Sequence, residues 1–121
     1  MVTLRRPVLP ALGTTITTFV DHFGQPARVI PVAGGLLYEF RLDGQVLTVV
    51  CAADAAVAVH GTYPTTGPGL LPPNAAWRMA NGVPRHRMLV GDAGWVVFGP
   101  HCPQTIVRRL RRLAASAITC G

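Results

Sequence analysis

The 121-residue chain has no lysine and only five carboxylates. All eleven basic residues are arginine, and the formal net charge is +6. So few acids leave little for acid–base catalysis. Asp43, Asp54 and Asp92 fall in expected turns and Glu39 in an expected cross-strand pair, which leaves Asp21 beside His22. No Gly-x-Ser-x-Gly elbow, phosphate loop or dinucleotide fingerprint occurs. An enzyme is therefore not expected, and no cofactor is called for.

The three cysteines, at 51, 102 and 120, form no Cys-x-x-Cys pair. His101-Cys102 with His60, His86 or Cys120 lacks the close ligand spacing of zinc sites, so no metal is expected. A Cys102 thiol at a helix start is placed for a lowered pKa, yet no base is supplied by sequence adjacency. The expectation is a plain helix-start residue. Reduced thiols fit a cytoplasmic location, with a Cys102–Cys120 disulfide as the alternative. Long apolar runs are also missing. Val8-Leu9-Pro10-Ala11-Leu12 is short and broken by Pro10, so neither a signal peptide nor a membrane span is read.

What is present is a globular composition. Half the residues are apolar and 13% are charged, which excludes intrinsic disorder. The length suits one domain, 1–121, and 13 Gly with 11 Pro imply short elements and many turns. The organising stretch is 36–51, two strand-favouring runs about Asp43-Gly44, the dipeptide suited to a type I′ turn. A two-residue loop sets Leu42 opposite Gln45, Phe40 opposite Leu47, Tyr38 opposite Val49 and Leu36 opposite Cys51, all on one largely apolar face. The other face, with Glu39 opposite Thr48 and Leu37 opposite Val50, is mixed.

Around this hairpin the chain divides into 12–60, a Pro/Gly-rich loop at 61–74, and 75–121. Val2–Leu4 is a candidate edge strand. Thr14-Thr15 opens a helix whose Ile16, Phe19, Val20 and Phe23 form one stripe, stopped by Gly24 and Pro26. Arg28–Val32 is a strand kept to an edge by Pro31. After a turn at 52–54 comes a strand Ala55–His60, with Val57 and Val59 on one face. Asn74 caps a helical turn at Ala75–Ala80, and a second hairpin joins Arg87–Val90 to Trp95–Phe98. Gln104–Ala117 forms the last helix, apolar through Ile106, Val107, Leu110, Leu113, Ala114 and Ala117. The expected fold is α+β: an antiparallel sheet of about five short strands, with the first and last helices packed on one face. A faint internal echo repeats Phe19, Gly24-x-Pro26 and Phe40 as Trp77, Gly82-x-Pro84 and Phe98.

Leu12-Gly13-Thr14-Thr15, the apolar stripe, Phe23-Gly24-Gln25-Pro26, Tyr38-Glu39-Phe40 and the Asp-Gly hairpin carry a resemblance. Over residues 12–60 the chain resembles the helix–strand–strand modules of the outer-membrane small-lipoprotein family and the related β-lactamase-inhibitor-protein-like folds. The resemblance implies a non-enzymatic module that works by protein–protein contact. The Arg-rich final helix and the missing lipidated Cys depart from that pattern.

Arg108, Arg109, Arg111 and Arg112 project from the polar side of the last helix, and Arg85 and Arg87 precede the second hairpin strand. Two readings follow. The leading one is a small non-catalytic protein-interaction or assembly module, its arginines forming a solvated face in a lysine-free protein. The alternative is a nucleic-acid-binding protein that lays these six arginines along phosphates. Convergence of the arginines on one concave face favours nucleic acid, and scatter favours the first reading. Partner identity and oligomeric state are not legible.

Overall fold

The central hairpin forms in the expected register. The computed structural model describes residues 8–64, 71–72 and 74–115. In it, β2 (Gly35–Leu42) and β3 (Gln45–Ala52) pair with Phe40 opposite Leu47 and Leu36 opposite Cys51. The turn differs in type. Among its two central residues only Gly44 has a positive φ, 75°, whereas the next turn carries two, Ala53 at 51° and Asp54 at 70°. The mirror-image turn conformation therefore sits between β3 and β4 (Ala55–Thr62), on residues less suited to it.

Among the described residues the sheet has six antiparallel strands, against about five expected. The remaining strands are β1 (Arg28–Val32), β5 (Arg87–Val90) and β6 (Gly94–Phe98), and the order is β1-β2-β3-β4-β6-β5. Pro31 lies on edge strand β1, where a missing N–H costs no ladder bond. The helices are α1 (Ile16–Phe23), α2 (Ala75–Ala80) and α3 (Gln104–Ala115). The α+β class is as expected. Candidate strand Val2–Leu4, half of the Pro/Gly-rich loop (65–70 and 73), Ala117 and Cys120 lie outside the described residues.

The helices do not share one face. Phe19 of α1 and Met79 of α2 pack with Phe40, Leu47, Val49, Val59, Trp95 and Val97. On the opposite face Ile106, Val107, Leu110 and Ala114 of α3 pack with Leu37, Val50, Ala58, Val96 and Phe98. The face read as mixed carries enough apolar residues to seat a helix.

The segment before α1 is sewn to both layers. Leu12 N–H donates to Met79 O, while Gly13 N–H and Thr14 O pair with Ala56. A β-bulge between Val50 and Cys51 shifts the β3–β4 register by one residue. Each one-residue slip exchanges the faces. Val59 consequently joins the α1/α2 core and Val57 the α3 side, so the expectation that they share a face is corrected.

Helix α3 is tied at both ends. Thr105 Oγ1 donates to Ala33 O in the β1–β2 turn, and Ala93 N–H in the β5–β6 turn donates to Ala114 O. Strand alternation puts these two turns at opposite ends of the sheet and near opposite edges. The helix therefore crosses its face on a diagonal. Among the described residues it leaves a corner uncovered over β1, β2 and β3.

Candidate functional site

The uncovered corner holds a transverse row of side chains. Successive registers align Arg28 with Glu39, Glu39 with Thr48, Thr48 with His60, and His60 with Val96. Four strands thus contribute Arg28, Glu39, Thr48 and His60 to one line. The row floors a cleft of about 340 Å³ whose far wall is Arg109 and Leu113 of α3. Apolar walls come from Ile30, Leu37 and Val46.

Burial makes this row unusual. His60 is 3% exposed and Thr48 3% exposed. Neither ring nitrogen of His60 has a hydrogen-bond partner among the described residues. Desolvation pushes the imidazole pKa down to about 4, so the ring is neutral at pH 7. Glu39 Oε1 is likewise buried without a hydrogen-bond donor among them. Arg28 Nε at 3.5 Å and Arg41 Nη2 at 3.4 Å give it ion pairs, too long for strong hydrogen bonds. Buried polar groups are normally satisfied, so two such groups in one cleft call for an account.

A second concavity, about 290 Å³, lies on the other side of Arg109. Arg108, Arg109, Arg112 and Thr105 line it with Val32 and Ala33 of the β1–β2 turn. Three of the six sequence-named arginines therefore converge. Arg111 is exposed on α3 but does not line this concavity. Arg85 sits in the turn before β5 with a φ of 58°, and the Arg87 guanidinium stands 5.7 Å from the Phe98 ring centroid. Arg85 and Arg87 do not line this concavity either.

The Cys102 thiol is not activated. Burial raises its pKa to about 11 against an opposing effect from Arg87, and it is a free thiol whose Sγ contacts Pro103 O. Among the described residues no three His, Cys, Asp or Glu side chains cluster to hold a metal ion. No described helix is long and apolar enough to cross a membrane.

The far edge of the sheet has a different character. Among the described residues strand β5 hydrogen-bonds to β6 alone, with no strand on its outer side. Val90 is 65% exposed and Met88 37%, both on the α2 side of the sheet, opposite Trp95 and Val97. Trp77, also 65% exposed, lies on α2, which packs on β6. Unlike β1, β5 has no proline, and it carries no acidic residue.

Sequence reasoning missed the polar row. Glu39 opposite Thr48 was legible, but His60 reaches Thr48 only through the bulge. An unbulged ladder from the Ala53-Asp54 turn would set His60 against Leu47, in the other core. The one available signal was a histidine within an otherwise apolar strand. Compared with protein families, curated proteins and solved structures, the chain matches none.

Proposed function

We propose that the protein is a non-catalytic protein-interaction module that takes an extended, acid-flanked segment of a partner along β5. The observation carrying this reading is the open β5 edge, a proline-free strand with exposed Met88 and Val90. Edge strands in stable monomers are usually blunted by proline or charge; β1 carries Pro31, whereas β5 has only Arg87 at its first residue and is uncharged over 88–90. Strand addition supplies main-chain hydrogen bonds, and alternate side chains supply selectivity. Arg85 and Arg87 at the start of the edge favour acidic flanks on the incoming segment.

The test is an NMR titration of the full chain with a synthetic peptide alternating Val or Ile with Asp or Glu. Saturable shifts centred on β5, lost in a Met88→Lys/Val90→Lys variant that retains the wild-type melting temperature, are expected. Shifts absent from β5, or unchanged in that variant, overturn the reading.

A second reading has its own observation, the concavity shared by Arg108, Arg109 and Arg112. There the protein binds nucleic acid through phosphates. Three contacts on duplex DNA correspond to a log–log salt slope of about −2.7, at about −0.9 per contact. Submicromolar binding at about 150 mM salt, abolished when Arg108, Arg109, Arg111 and Arg112 become Gln, favours this reading over the first.

A further inference from the structure

The cleft over the polar row is the feature that neither a peptide on β5 nor a phosphate on the outer arginines accounts for. A neutral imidazole offers one donor and one acceptor, and both ring nitrogens of His60 lack protein partners among the described residues. His60, 3% exposed in strand β4, lines an open cleft, so whatever meets its ring enters through that cleft. Glu39 Oε1 in the same row is held only by the long ion pairs to Arg28 and Arg41. The unpartnered imidazole calls for a ligand bearing a hydroxyl, which can donate and accept.

The remaining walls narrow the ligand further. Ile30, Leu37, Val46 and Leu113 provide apolar surface between the polar floor and the mouth. Arg109 of α3 brings a cation to the opposite wall, and it is exposed enough to meet a solvated anion. A volume of about 340 Å³ is at the lower end of small-molecule sites, roughly 300–1,000 Å³. It is several times the roughly 30 Å³ share of one water, so a single ordered water does not fill it.

We propose that this corner cleft binds a small hydroxy acid, its hydroxyl on His60, its apolar body between Leu37 and Leu113, and its carboxylate on Arg109. Thr48 lies between His60 and Glu39 in the row and sets the width of the polar floor. No covalent step is involved. The site stands apart from β5, so it holds or fails independently of the peptide reading.

The experiment is a 15N NMR titration of the full chain at pH 7 with 4-hydroxybenzoate and 3-hydroxybutyrate, using benzoate and 4-hydroxybenzyl alcohol as the halves of the pharmacophore. The expected result is saturable shifts at Thr48, His60 and Leu113 from at least one hydroxy acid, with the His60 ring nitrogens moving as well. For 4-hydroxybenzoate, removing either the hydroxyl or the carboxylate weakens binding roughly three- to tenfold, the worth of one hydrogen bond. Arg109→Gln gives a similar loss for the acids and none for the alcohol, while His60→Asn abolishes the advantage of 4-hydroxybenzoate over benzoate. The imidazole shifts in the wild type test the hydroxyl contact even if His60→Asn fails to fold. No saturable shift with either hydroxy acid overturns the proposal. So do shifts centred on Arg108 and Arg112, or equal binding by the acid and the alcohol.

Discussion

Acidification should destabilise this protein through His60 in a defined window. The imidazole has an ordinary pKa of 6.5 when unfolded, and burial lowers it to about 4 in the folded chain. Above pH 6.5 the ring is neutral in both states and adds no pH dependence. Between 6.5 and 4 the unfolded chain binds a proton that the folded chain refuses, so each unit of acidification favours unfolding by about 1.4 kcal/mol. The accumulated loss is about 3 kcal/mol, and it levels off below pH 4, where both states are protonated. The charged groups at the cleft are Arg28 on β1, Glu39 on β2 and Arg109 on α3; Thr48 and Thr62 on β3 and β4 are uncharged. The two arginines oppose an imidazolium and Glu39 favours one. His22, His86 and His101 are exposed. The assay is urea denaturation followed by fluorescence of buried Trp95, from pH 7.5 to 4, for wild type and His60→Asn. Subtracting the variant removes the carboxylates common to both. If the two proteins lose stability equally, within about 0.5 kcal/mol, His60 is not the buried, unpaired base described here.

Two further outcomes test the packing. Phe40 is 1% exposed and set against Leu47, so Phe40→Ala should cost about 3–5 kcal/mol; an almost unmoved denaturation midpoint would contradict the assigned core face. Gly61 lies opposite Trp95, whose indole occupies the space a Cβ would take, so Gly61→Ala should cost roughly 1–3 kcal/mol and much less in a Trp95→Leu background; equal costs in both backgrounds would refute the contact.

The parts of the fold legible in the sequence are those set by local rules. Asp43-Gly44 defined a two-residue loop, and the loop length alone fixed which side chains face each other from Leu36 to Cys51. Phe19 and Leu110 were recoverable from helical periodicity, and Pro31 from its missing donor. The polar row depends on the bulge at Val50/Cys51, which no local signal announces, and on the diagonal course of α3, which long-range hydrogen bonds to Ala33 and Ala93 determine. Helical spacing grouped Arg108, Arg109, Arg111 and Arg112, and three of them share a concavity, while Arg87 lies over Phe98 on strand β5. The echo between the two halves also stops at the faces: Phe40 belongs to the α1/α2 core and Phe98 to the α3 core.

The two halves of the α3 face differ in a way that burial energetics sharpen. Under the helix, Leu37, Val50, Ala58 and Phe98 pair across the strands as an unbroken apolar row. One row further along, Arg28, Glu39, Thr48 and His60 replace it, with Thr48 and His60 as deeply buried as the apolar residues beside them. A row meant only for solvation would keep its polar atoms in water, as Arg108, Arg111 and Arg112 do. A row meant only for packing would be apolar, because an unsatisfied buried polar group costs about 1–3 kcal/mol. This row does neither. At Glu39 and His60 it holds polar atoms away from bulk solvent while a cleft beside them stays open, an arrangement suited to something that brings its own hydrogen bonds.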